Sequence, residues 1–304
     1  MLQDEECAKK GDIRVNNKGN KPQKRRSRLF EIWRRLKKNK LAVAGLIFLI
    51  IVVVVAILAP VIAPYSPLEQ NPSNAFAPTS LAHLLGTDKL GRDILSRLIF
   101  GARQSLLLGV VSIAIAAAIG IIIGVIAGFY GGWLDIVLMR VLDIYQSIPM
   151  FLLCVTLAAI LGASLTNAII AIGISNVPVY ARITRATVLT VRQSEYVEAA
   201  RAIDASTRRT IFVHILPNCL APIIVEVTMG IASAVLAGAS LSFIGLGVQP
   251  PTPEWGAMVS EGRNFMRQHP TIALYPGLCI MATVLSFNLL GDGLRDALDP
   301  RLKN

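Results

Sequence analysis

Leu41 to Ala63 is a run of 23 residues without one charged side chain. As helix, at about 1.5 Å per residue, it reaches roughly 34 Å, more than the ~30 Å hydrocarbon core of a bilayer. A soluble fold has little use for a segment of this length that is apolar on every face, so the chain is expected to cross a membrane. A cleaved secretory signal does not fit. The apolar core is too long, and Pro64 follows directly on the would-be cleavage residue Ala63. Charged residues make up 16% of the chain, against about 25% in soluble domains, which agrees with that expectation.

Five further apolar stretches lie near 105–129, 134–161, 165–183, 220–243 and 271–291, and the sequence therefore reads as an all-α membrane protein of six transmembrane helices. Lys and Arg set the orientation. With those at the inner ends of their spans included, 24 of them fall on the side of the N-terminus and 6 on the other, which places both termini in the cytoplasm. The segments 64–104 and 244–270 then face outward. Both are irregular by their prolines (Pro60, Pro64, Pro67, Pro72, Pro78; Pro250, Pro251, Pro253), with a short helix expected from Ile94 through Gly101.

The net charge of +11 does not point to nucleic acid, because residues 1–40 alone carry +9 and the remaining 264 carry +2. A basic tail abutting the first apolar run is a topology signal, and its Trp33 and Leu36 suit the lipid interface. Cys7, Cys154, Cys219 and Cys279 are far apart and without metal-ligand spacing, so neither a metal site nor a disulfide framework is expected.

Within the spans, Ser112, Ala116, Gly120, Gly124 and Gly128 recur every fourth residue and form one helical stripe. In lipid such a stripe lets another backbone approach closely. Ser112, at its outer end, is the member expected to tolerate change best. Residues 230–240 carry small side chains on more than one face, which suits either a helix with protein on several sides or one lining a passage. Glu226, in the inner third of that span, is a candidate for the translocation path; an interhelical hydrogen bond is the alternative. Arg140 and Asp143 share a face of the third span and are expected to compensate each other, and Pro149 is expected to kink it.

The cytoplasmic segment 184–219 is the most informative stretch. Glu195 and Glu198 suit a first helical turn, Ala199 to Ile203 propagate it, and Asp204 with Ser206 can stop it and cap the next helix. A short helix-turn-helix of this kind in a compact membrane protein calls for a docking partner.

Glu198-Ala199-Ala200 with Asp204 and the later His214-Ile215-Leu216-Pro217 resembles the EAA loop of binding-protein-dependent ABC permeases. The stretches GTDKLGRDILSRLIFGARQSL (86–106), LSFIGLGVQPPTPEWGAM (241–258) and FNLLGDGLRDALDPR (287–301) are similar to the C-type subunit of the dipeptide, oligopeptide and nickel permease family. The resemblance implies a type I ABC importer permease fold and a coupling role for Glu195, Glu198, Ala199, Ala200, Asp204, Ala205, Ser206, His214, Leu216 and Pro217. It implies as partners a second homologous permease, two ATPase subunits and an extracytoplasmic solute-binding protein, within membrane lipid and without nucleic acid. The divisions it implies are a basic tail (1–40), a first helix and outer loop (41–102), a permease core (103–292) and a C-terminal tail (293–304). Short peptides, with glutathione or nickel complexes as variants, are the solutes it implies.

The usual EAA pattern has Gly where this chain has Asp204, so that residue is expected to take a left-handed conformation that non-glycine residues enter at a cost. No G-x-x-x-x-G-K-[ST] loop occurs, hence ATP hydrolysis is expected from other subunits and no cofactor is expected in this one. An ion-coupled secondary transporter is the rival reading. It would call for ionisable groups at the bilayer midplane and inverted repeats, for which Glu226 alone speaks.

Overall fold

A computed structural model describes residues 28–298. The basic residues 1–27, Cys7 among them, and the tail 299–304 lie outside the described residues. Apart from one isolated bridge between Thr87 and Asp93, the regular structure is helical. In chain order it comprises α1 (Arg28–Leu36), α2 (Lys40–Ile57), α3 (Ala59–Ile62), a 3-10 turn (Pro72–Asn74), α4 (Ile94–Tyr130), α5 (Gly132–Gln146), α6 (Met150–Leu161), α7 (Leu165–Arg192), α8 (Glu195–Ala202), α9 (Thr207–Arg209), a π-helical turn (Thr210–Ile215), α10 (Leu216–Phe243), α11 (Trp255–Arg263) and α12 (Thr271–Leu298). The end of the bundle that carries α1 and α8 is called the inner end.

Among the described residues, α2, α4, α12 and the continuous helix Thr207–Phe243 are each long and apolar enough to cross a membrane, and α5 and α6, bent by 80° at their break, pass the same test only as a pair. The sixth expected span, α7, has the length but not the hydropathy, because it carries Asn167, Asn176, Arg182 and Arg185. It is surrounded by α4, α6 and α10, so its surroundings are largely protein and not lipid.

The seam between α4 and α7 is the centre of the fold. The small-residue stripe of α4 faces α7 along its whole length: a Cβ on Gly124 would stand 2.5 Å from the Ala181 carbonyl oxygen and 2.6 Å from Thr184 Cβ. Without side chains there, the backbones close to a distance at which dispersion contacts become dense. Ser112, the outer member of the stripe, is fully buried mid-helix against α7. The small residues of α10 likewise meet protein on several sides, with Gly238 against Leu108 of α4, Gly230 against Tyr180 of α7 and Ala239 against Gly256 of α11.

The outer cap explains the motif at 86–106. The expected short helix at Ile94 is not separate; it is the start of α4, which runs 37 residues, about 56 Å at 1.5 Å per residue. Asp93 caps it, accepting from the Ser96 amide at 2.8 Å, and holds His83 at 3.0 Å. Gly91, at φ +71°, turns the chain so that Asp88 meets Arg92 and Arg97. Both guanidiniums also reach Glu261 of α11, at 2.7 and 2.9 Å, and Asp88, Arg92 and Arg97 are almost fully buried. Glu254, also buried, caps α11 and accepts from Ser105 of α4 at 2.8 Å. Ion pairing between segments distant in sequence thus ties both outer loops into one lid. Arg97 can be buried in the first turn of α4 because Asp88 and Glu261 neutralise it.

Two local expectations change. Asp143 pairs with Arg182 of α7 at 2.6 Å, not with Arg140, and Asp135 holds Arg185 through two bonds of 2.5 and 2.6 Å. Charges three apart on one helix attract each other only weakly, so Asp143 is free to meet the Arg182 guanidinium presented by the neighbouring helix. Leu36 is buried against Ala42 and Ala297 and does not rest at the lipid interface, while Trp33 remains exposed beneath Lys37.

Candidate functional site

Thirteen residues of mixed character, Ser194 to Ser206, make the projecting element of the inner end. Helix α8 forms because Glu195 and Glu198 complement its amino end and the alanines propagate it. It turns Val197 and Ala200 inward, where Val197 joins Val125, Val188, Ile215, Cys219 and Ile223 in one apolar cluster. Burying these two side chains seats α8 on the end of α7 and on the π-helical turn that leads into α10. Glu195, Glu198 and Ala199 are left on the opposite, exposed face.

The helix ends as expected. Asp204 has φ +55°, and beyond it the Ala205 amide donates to the Ala200 carbonyl at 3.0 Å, the closing bond of a Schellman turn. Ser206 then starts the next helix through its backbone carbonyl, which accepts from the Thr210 amide at 2.9 Å; its side chain makes no capping bond. His214 and Leu216 are partly buried and Pro217 is exposed, beside the π-helical turn in which the Leu216 amide bonds back to the Ile211 carbonyl.

Sequence reasoning passed over the apolar side chains of this surface. Ile203 is 81% exposed, Phe212 65%, Val213 57% and Tyr196 46%. Their signal was available as large apolar residues in an otherwise polar inner loop. These apolar side chains are exposed in the same inner segment that exposes Glu195, Glu198 and Asp204.

Glu226 lies apart from this element, on α10 in a cavity of about 490 Å³ with Ile183, Pro222, Met229 and Arg295. No hydrogen bond or ion pair to its carboxylate is found among the described residues; only its backbone carbonyl is engaged, accepting from the Tyr180 hydroxyl at 3.3 Å. The interhelical hydrogen bond considered from sequence is therefore made by the backbone and not by the acid.

Residues 120–304 match the family described as binding-protein-dependent transport system inner membrane component, and residues 27–78 match the N-terminal TM domain of oligopeptide transport permease C. The dipeptide transport system permease protein DppC of Alkalihalophilus pseudofirmus is 48% identical over 274 residues, covering 90% of each chain. The glutathione transport system permease protein GsiD of Escherichia coli O6:K15:H31 is 45% identical over 284 residues, covering 93% of this chain and 94% of that one. Among solved structures, a chain of the inward-facing MetNI methionine ABC transporter superposes with a TM-score of 0.56 at 20% identity, covering 68% of this chain and 98% of that one. That likeness speaks to the fold.

Proposed function

Because this chain belongs to the family of binding-protein-dependent transport system inner membrane components, we propose that it is the C-type permease of an ABC importer for short peptides, with its termini in the cytoplasm. The observation that carries the coupling role is α8. Its Val197 and Ala200 are buried against the end of α7 and the π-helical turn that leads into α10, while Glu195, Tyr196, Glu198 and Ala199 are left exposed. Closure of two ATPase subunits around this face would push on α4, α7 and α10 together and rock the spans as a rigid body. A second permease would complete the passage, the lid of the outer loops would receive the solute-binding protein, and Glu226 would face the inner part of the path.

Dipeptide and glutathione permeases among the relatives support peptide-sized solutes carrying a free carboxylate. Purified alone, the chain should hydrolyse no ATP; reconstituted with its ATPases, partner permease and binding protein, it should support solute-stimulated hydrolysis. Uptake driven by an ion gradient without the ATPases would overturn the proposal.

A further inference from the structure

We propose that the groove between α2 and α4 at the outer end of the bundle holds one anionic phospholipid, its phosphate on Arg103 and an acyl chain along the groove. The groove has a volume of about 370 Å³. Among the described residues that line it, Arg103 carries the only charge and the rest are apolar, with Val53 and Ile57 on the α2 side and Leu107, Val110 and Val111 on the α4 side. All five of these apolar side chains are exposed, so the groove opens towards lipid and not into the packed interior.

Its depth matches one leaflet. Arg103 lies where the apolar part of α4 begins, since from Gln104 to Leu134 the chain carries no charge. Across the groove, Ile57 is the last residue of α2. Both mark the level at which hydrocarbon gives way to headgroups beneath the lid. Val111 stands roughly 12 Å deeper along α4, at about 1.5 Å per residue, and one leaflet is half of a hydrocarbon core of ~30 Å. An acyl chain starting under Arg103 therefore finds an apolar wall over most of its leaflet.

The charge selects the headgroup. In the lid, Arg92 and Arg97 are buried and held by Asp88 and Glu261. Arg103 is exposed, and no hydrogen bond or ion pair to it is found among the described residues. A guanidinium at the edge of the hydrocarbon is costly unless it reaches the interface and meets an anion there, and phospholipid phosphates stand at that level. No carboxylate lines the groove to receive the ammonium group of a zwitterionic lipid, so a headgroup of net negative charge fits best. A helix of a second permease would fill the apolar part equally well, yet it would satisfy Arg103 only by bringing a carboxylate to the same height. An anionic phospholipid supplies chain and charge together.

The test places the assembled importer in bilayers of phosphatidylcholine with a trace of phosphatidylglycerol that carries a photoactivatable diazirine on one acyl chain, and maps the labelled residues by mass spectrometry. Labelling is expected within 53–57 and 106–111. Unlabelled phosphatidylglycerol should displace the probe, whereas phosphatidylethanolamine or inorganic phosphate at the same concentration should not. Arg103→Ala and Arg103→Glu should lower the labelling about fivefold or more, and Arg103→Lys should keep most of it. Equal displacement by phosphatidylethanolamine, displacement by inorganic phosphate, or undiminished labelling of the Arg103→Glu complex would each overturn the proposal. Competition in the unsubstituted complex decides the matter even where a variant assembles poorly. A photoreactive benzoylphenylalanine at position 107 should crosslink to lipid; if it crosslinks to the neighbouring permease instead, protein covers the groove and the lipid site is wrong.

Discussion

The Ala205 amide donates to the Ala200 carbonyl at 3.0 Å across a left-handed Asp204, and this bond closes the turn between α8 and the helix that starts at Thr207. A β-branched residue resists φ near +55°, at a cost of roughly 1–2 kcal/mol, and glycine does not. Asp204→Gly should preserve or raise ATPase co-purification and solute uptake, and Asp204→Val should lower both at matched expression. Glu198→Lys, which reverses a charge on the exposed face, should lower uptake with membrane insertion unchanged. If Asp204→Val and Glu198→Lys both keep full co-purification, α8 is not the docking element.

The α4–α7 seam leaves no room for a side chain at position 124. Gly124→Leu should destabilise the folded chain by at least ~1–3 kcal/mol, through overpacking against Ala181 and Thr184. Ser112→Ala, by contrast, removes a buried hydroxyl that has no partner and should be neutral or slightly stabilising. Thermal unfolding of the purified complex in detergent measures both. An unchanged midpoint for the Gly124 variant would show that the seam is looser than described.

In the outer lid, Asp88 accepts from both Arg92 and Arg97 with almost no solvent contact. Asp88→Ala leaves two guanidiniums sharing Glu261, and loss of a buried partner typically costs ~3–5 kcal/mol. The expected result is proteolytic nicking within 64–93 before the spans unfold. Asp88→Ala that resists protease as the native chain does would mean that the lid is held by Glu254 and Trp255 instead.

Asp135 engages Arg185 through both guanidinium arms, a geometry lysine cannot reproduce. Arg185→Lys should therefore behave nearly as Arg185→Ala does in uptake. A double-mutant cycle over Asp135→Asn and Arg185→Ala should return a coupling of about 1 kcal/mol. Additive effects would indicate that the pair contributes nothing.

Much of this architecture was legible in the order of residues because it is local or periodic. The uncharged run of α2, the four-residue spacing of the α4 stripe and the turn chemistry at Asp204 each act within a few helical turns, where sequence distance and spatial distance agree. Pro149 announced an interruption for the same reason, since a missing amide acts on its own turn.

Tertiary structure alone decided what depends on segments that meet from far apart. No spacing rule joins Asp88 to Glu261, or Asp143 to Arg182 in preference to Arg140. The 80° turn at the break between α5 and α6 and the exposure of Ile203 and Phe212 follow from how the packed helices fill space. The sequence by itself determined most of the helical segments and the stops at Pro149 and Asp204, because those follow from hydration and backbone sterics acting locally. Which charges are neutralised, and which polar groups are left facing a cavity, depended on side chains brought together only when the spans close on one another.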